Sequence, residues 1–253
     1  MSSFSSEWLL QIRKVSERYS FSEFYLIVDQ AGEFPKINKS LDLLSPKIHW
    51  CSLFEDEPEG VHINESPLLL KIGLDCSQHL NWFKSLLEES REPERFLLFF
   101  AYDDFYMTAD LLKKLIVAEW ASRSGIFRFY DTRIFSKLIS EVLCEEQLTI
   151  INSLPVVWGW CNRCLEPVWY KRSSHTPTEE YFKLTLSDSQ IDKIGLIGDI
   201  ERFLNNETFY DDAGKEYWFN FLWKIAKESN DIVIDFKALI DSSGLSQDFI
   251  IEA

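Results

Sequence analysis

Residues 95–101 read Arg-Phe-Leu-Leu-Phe-Phe-Ala (RFLLFFA), an apolar run without polar alternation and too short for a core helix. That pattern predicts a strand buried on both faces. Toward the C-terminus, Thr108 to Ala121 has helical spacing, with Leu111, Leu112, Leu115, Ile116 and Ala118 apolar. Ile126 to Tyr130 (IFRFY) reads as a further strand, and Ile134, Phe135, Leu138, Ile139 and Val142 then mark a second helix. Toward the N-terminus, Cys76 to Glu89 is helical through Leu80, Phe83, Leu86 and Leu87, and Leu68 to Ile72 is a strand entered through Pro67. Ile48 to Phe54 is another strand; Phe24 to Val28 (FYLIV) is a buried one ended by Asp29 and Gly32, and Trp8, Leu9, Ile12 and Val15 precede it as a helix face. Strands alternating with helices of this length predict an α/β fold, an N-terminal mixed sheet with flanking helices.

The pattern changes beyond a tryptophan-rich segment, Leu154 to Tyr170 (LPVVWGWCNRCLEPVWY), which reads as a hairpin turning near Asn162. A polar stretch follows at Arg172 to Thr178 (RSSHTPT), and the boundary is placed there, giving an α/β lobe at 1–172 and a smaller α-helical lobe at 173–253. Ser187 with Gln190 forms a capping box, the serine hydroxyl meeting one free helix N–H and the glutamine reaching back to another. Ile191, Ile194, Leu196, Ile197, Ile200, Phe203 and Leu204 supply that helix's apolar face, and Glu216 to Glu228 and Ile232 to Ile240 read as two more helices.

Composition narrows the function. Over 253 residues, 41 acidic against 26 basic side chains leave a net charge of −15, which repels nucleic acid phosphates and anionic lipid alike. Neither nucleic acid nor a membrane is an expected partner. The opening MSSFSSEWLLQIRKVSE is an amphipathic helix pattern without a signal-peptide core, so a soluble cytoplasmic protein is expected. Five cysteines at irregular spacing read as reduced thiols.

Sites of chemistry are sparse. Cys161-x-x-Cys164 has zinc or redox spacing, yet only Cys144 and His175 lie even loosely near as further ligands, and a hairpin turn is the wrong place for a redox pair. His49, His62, His79 and His175 are scattered. Asp103-Asp104 after the central strand is an acid/base candidate that reads more simply as a solvated loop start. Neither a metal, a cofactor nor an enzymatic activity is expected.

Ile126 to Ile139, IFRFYDTRIFSKLI, stands out. Read as a strand, it puts Phe127 and Phe129 on one face and Arg128 beside Tyr130 on the other. Asp131 falls at a helix N-cap, and Arg133 in the first turn opposes the helix dipole, so a carboxylate partner is expected, with Asp29 as one candidate. Near the C-terminus, Trp218, Phe219, Phe221, Leu222 and Trp223 fill more of a helix than one core-facing stripe, so either part of that ring stands at the surface as a binding face or all five are core between the lobes.

The order FYLIVDQAGEFPKI, WCSLF, SPLLLKI, a strand, a helix, IFRFYDTRIFSKLI and LPVVWGW, spanning residues 24 to 160, resembles the type VI secretion adaptor or effector-chaperone family (Tap/TEC). LSDSQIDKI at 186–194 is similar to the opening of that family's helical region, and Thr132 departs from its usual proline. The resemblance implies a non-enzymatic protein that binds a toxic effector in the cytoplasm and helps load it onto the trimeric spike of the secretion tube. Cargo is then expected mainly on the helical lobe and the spike on the α/β lobe. A cytosolic immunity protein pairing its negative charge with a basic toxin is the alternative.

Overall fold

The structure, a computed structural model, describes residues 4–32, 34, 36–90, 92–171, 183–207, 212–228 and 234–242. The first half runs α1 (Phe4–Tyr19), β1 (Glu23–Val28), α2 (Asn38–Leu41), β2 (His49–Ser52), β3 (Leu68–Gly73), α3 (Ser77–Ser90), β4 (Phe96–Phe100) and α4 (Phe105–Leu115). Then come β5 (Val117–Trp120), β6 (Arg123–Ile126), α5 (Thr132–Lys137) with a π-helical turn at Leu138–Val142, α6 (Glu145–Ile151), β7 (Val157–Cys161) and β8 (Pro167–Lys171). A short β9 (Leu184–Thr185) leads into α7 (Asp188–Asn205), α8 (Asp212–Ala226) and α9 (Phe236–Ser242).

Six strands form one sheet in the order β2-β3-β1-β4-β7-β8. Every pairing in it is antiparallel, and the parallel pairing among the described strands is β5 with β9 in a small second sheet. The central strands are buried on both faces because alternate side chains feed two cores. Phe24, Leu26, Val28, Phe96, Leu98 and Phe100 face α1 and α3, where Trp8 lies 5.8 Å from Phe83. Tyr25, Ile27, Leu97, Phe99, Trp158 and Trp160 face α4, α5, α7 and α8. That second core runs without a break from the sheet into the C-terminal helices, taking in Ile197, Ile200, Trp218, Phe219, Leu222 and Trp223. Gly159 is required where it stands, since a Cβ there would lie 2.4 Å from the Trp169 ring.

Two elements differ from the sequence expectation. The helix expected to run to Ala121 stops at Leu115, and the chain turns into the β5–β6 hairpin. Its two turn residues, Ala121 and Ser122, both take positive φ (45° and 63°), the backbone of a tight two-residue hairpin usually signalled by Asn-Gly. Residues 127–130 are not a strand. Phe127 N–H donates to the Ile116 carbonyl, and Phe129 and Asp131 N–H close successive turns on Phe127 and Arg128. The turns send Phe127, Phe129 and Tyr130 all inward, so the expected division into an aromatic face and a polar face does not occur. The polar stretch at 172–178 lies outside the described residues, as does the start of the helix expected from Ile232; α9 is described from Phe236.

Glu141 in the π-helical turn fastens α8 to the rest. It accepts from Lys137 Nζ (2.9 Å), Lys227 Nζ (2.7 Å) and Trp223 Nε1 (2.8 Å). Burial alone would raise its pKa, but these donors outweigh it and bring the carboxyl down to about 2. A folded-state pKa below the unfolded one gives stability that is present above about pH 4.5 and lost as pH falls toward 2. Glu141→Gln should therefore cost about 1–3 kcal/mol near neutral pH. In urea titrations its deficit against wild type should shrink as pH is lowered through that window; equal stabilities at pH 7 would contradict the assignment.

Candidate functional site

Asp29, Arg128, Tyr130, Asp131 and Arg133 meet where the end of β1 faces the turn into α5. Asp29 follows β1, its N–H on the Arg95 carbonyl (3.0 Å) and its Oδ1 accepting from Ala31 N–H (3.1 Å). Its Oδ2 accepts from Arg128 Nη2 at 2.5 Å, with Asp29 4% exposed and Arg128 43% exposed. The Arg128 guanidinium also lies 5.9 Å from the centre of the Tyr130 ring. Partial burial disfavours charge on Arg128, and the Asp29 and Asp131 carboxylates more than offset it, so its pKa rises. Burial, with Asp29 and Asp131 adding, pushes the Tyr130 phenol up and keeps it neutral.

Asp131 is the N-cap of α5, its Oδ1 accepting from Arg133 N–H at 3.2 Å. The same carboxylate takes both arms of the Arg133 guanidinium, Nε on Oδ1 (2.8 Å) and Nη2 on Oδ2 (2.7 Å). Such a bidentate fork is among the stronger protein hydrogen-bonding arrangements. Arg133 thus has the carboxylate its position demands, but that partner is Asp131, two residues away, while Asp29 belongs to Arg128. Thr132, where the resembled family has proline, donates its hydroxyl to the Glu94 carbonyl at 2.7 Å and ties the helix start to the chain entering β4.

Arg163, in the β7–β8 turn, was not singled out by the sequence, where it is hidden inside the Cys-x-x-Cys. Its side chain is 10% exposed. Nε donates to Glu201 Oε1 at 2.7 Å, a second contact to the same oxygen comes from Nη2, Nη1 reaches Glu216 Oε2 at 3.3 Å, and Nη2 donates to the Arg133 carbonyl at 2.9 Å. Its guanidinium carbon sits 3.4 Å from the centre of the Phe219 ring. One side chain therefore joins the hairpin turn, α5, α7 and α8.

The cysteines fit a packed turn. Cys161 ends β7 buried, and burial raises its thiol pKa. Cys164 N–H donates to Asn162 Oδ1 (3.0 Å) within the turn. Among the described residues no three His, Cys, Asp or Glu side chains gather to hold a metal ion. Asp104 caps α4, accepting from Tyr106 and Met107 N–H, and the Asp103 carbonyl accepts from the Tyr25 hydroxyl at 2.7 Å.

Trp218 and Trp223 are fully buried, with Phe219 and Leu222, and Phe221 is half-buried with its ring edge-on to Trp218 at 5.3 Å. The α8 ring offered as a binding face is therefore core, and what the helix shows outward is Tyr217 and Ile225. Assigning the cargo to those aromatics loses its basis. Among the described residues no helix is long and apolar enough to cross a membrane.

Residues 24–149 match the model of a family described as Domain of unknown function (DUF4123). The match runs from β1 through α6, so it contains Asp29 and the 128–133 turn and leaves out Arg163, Glu201 and α8. No curated protein and no solved structure matches the chain.

Because Asp29 is buried and Arg128 is not, the two ends of their pair respond differently to substitution. Arg128→Met strands a buried carboxylate and should cost about 1–3 kcal/mol, whereas Asp29→Asn releases a guanidinium to solvent and should cost less. A double-mutant cycle in urea should give a coupling of about 1–2 kcal/mol; coupling near zero would remove the pair from the account.

Proposed function

We propose that this protein is a non-enzymatic adaptor that binds a type VI secretion effector in the cytoplasm and helps load it onto the trimeric spike of the secretion tube. What carries the reading is the Arg-Phe-Tyr-Asp-Thr-Arg turn at 128–133. Its aromatic side chains Phe129 and Tyr130 are core, and its charged side chains are fixed by Asp29 and Asp131 with Arg128 still partly open to solvent. A turn of this build presents two partly exposed guanidiniums, Arg128 at 43% and Arg133 at 36%, around a neutral, buried phenol. That favours recognition over proton transfer, for which a group titrating near the working pH is needed. The resemblance of the strands and turn to the adaptor family supplies the kind of partner.

The test is export of a catalytically inactivated effector from the native host. Removing this protein should leave that effector inside the cell, and restoring it should return the effector to the medium. Unchanged export, with the host becoming sensitive to active effector, would overturn the adaptor reading in favour of an immunity protein.

A further inference from the structure

Three large apolar side chains stand exposed within six residues of one another, where β4 turns into α4: Tyr102 (65%), Tyr106 (71%) and Met107 (54%). Single exposed apolar residues need no explanation, whereas gathered ones mark interaction surfaces, and tyrosine and methionine are among the residues that interfaces favour.

The rings are held in place, and so is the backbone that carries them. Tyr102 lies 4.7 Å from the ring of Phe21, which is itself stacked at 5.2 Å on the buried Phe100. Tyr106 stands edge-on to the buried Phe105 at 5.7 Å. Asp104 caps α4 by accepting from Tyr106 N–H (2.8 Å) and Met107 N–H (3.1 Å), and the Tyr25 hydroxyl holds the Asp103 carbonyl. Exposed rings ordered in advance lose little rotamer freedom when a partner covers them, which is what an interface anchor requires.

The charge around them is one-sided. Asp103 and Asp104 precede the helix and Asp110 lies one turn beyond Tyr106, exposed and without a salt bridge among the described residues. Lys113 binds Glu55 (2.7 Å) and Asp56 (3.1 Å), which brings the Glu55-Asp56-Glu57 turn against the same helix. Against these six carboxylates stand Lys113 and Lys114, leaving four negative charges over. Glu23 with Lys71 and Glu119 with Lys183 cancel as pairs. Arg18 and Lys171 lie over the Tyr19 ring at the margin, and counting both still leaves two negative charges over. A second copy of the chain does not suit such a face, because two of them would bring like charges together; phosphate backbones and anionic lipid are repelled for the same reason. Tyr106, Asp110 and Lys114, all exposed and spaced four residues apart, make one ridge along α4, the relief against which a second helix packs.

We propose that the exposed side of α4, with Tyr102 before it, docks an amphipathic helix of a protein partner whose apolar stripe covers Tyr102, Tyr106 and Met107 and whose flanking lysines or arginines meet Asp104 and Asp110. The face lies at the opposite end of β1 and β4 from Asp29 and the 128–133 turn, so it leaves that turn free for another contact. That the partner belongs to a secretion complex rests on the adaptor reading; the chemistry of the face does not.

The experiment is fluorescence anisotropy of the full-length protein with a labelled peptide of leucine and lysine at helical spacing, and with a scrambled peptide of the same composition whose leucines are scattered around the helix. The two carry the same charge, so general attraction to an acidic protein does not separate them. The amphipathic peptide should bind with a Kd on the order of 10 μM, and the scrambled one at least about tenfold more weakly. Tyr106→Ala combined with Met107→Ala, with folding checked by circular dichroism, should weaken the amphipathic peptide about tenfold, and Asp110→Asn about threefold. Glu145→Gln with Glu146→Gln, which removes two exposed charges on α6 instead, should change binding less than Asp110→Asn does. Equal binding of the two peptides, binding indifferent to the Tyr106 and Met107 changes, or a loss from the α6 changes as large as that from Asp110→Asn overturns the proposal. If the peptides behave as described while export of inactive effector does not depend on the protein, the docking face stands and the adaptor reading falls. Export that depends on the protein without selective peptide binding gives the reverse.

Discussion

The buried guanidinium of Arg163 is the interaction on which the arrangement of the site depends. It stacks on Phe219, pairs with Glu201 and Glu216, and donates to the Arg133 carbonyl, so the hairpin turn, the start of α5 and the C-terminal helices share one hub. The bulk of the stabilisation does not come from it. Trp158, Trp218, Phe219 and Trp223 are fully buried between sheet and helices, and each large apolar side chain contributes about 1.5–3 kcal/mol when taken from water. What burial lacks is direction. A buried ion pair gains little net energy over an apolar substitute, because removing both charges from water is costly. Breaking one end leaves an uncompensated charge, at about 3–5 kcal/mol. Hydrocarbon holds the helices on the sheet, and Arg163 fixes where on the sheet they sit.

The 128–133 turn depends on that placement. Arg163 holds the carbonyl of Arg133 while Asp131 holds its side chain, so Arg133 is fixed at both ends. Thr132 anchors the same turn to Glu94 from the other side, a bond that proline could not make.

Much of this was legible in the sequence where a run of one kind of residue admits one environment. FYLIV, LLLKI and RFLLFF became β1, β3 and β4, and the tryptophan-rich hairpin turned at Asn162 as expected. The capping box at Ser187 and Gln190 opened α7, and Asp131 capped α5. The β5–β6 hairpin was not legible, since Ala121 and Ser122, which take positive φ, carry no turn signal. The need of Arg133 for a carboxylate was legible but not which one: Asp29 was one candidate, and the turn of the chain brings Asp131 instead. Burial of the α8 aromatics was one of the two readings the sequence left open, and Trp218 and Trp223 follow it: a helix apolar nearly all round is a core helix. Arg163 gave no signal, being one arginine whose partners lie 38 and 53 residues away.

Hydrogen exchange on full-length Arg163→Met, which keeps the stem and deletes the charge, tests the hub most directly. Amide protection should fall in the 162–166 turn, α5, α7 and α8, while β1 and β3 within the sheet and α1 and α3 on its far face keep theirs. An unchanged pattern, or a loss spread evenly over both cores, would show that Arg163 is not what positions the C-terminal helices on the sheet.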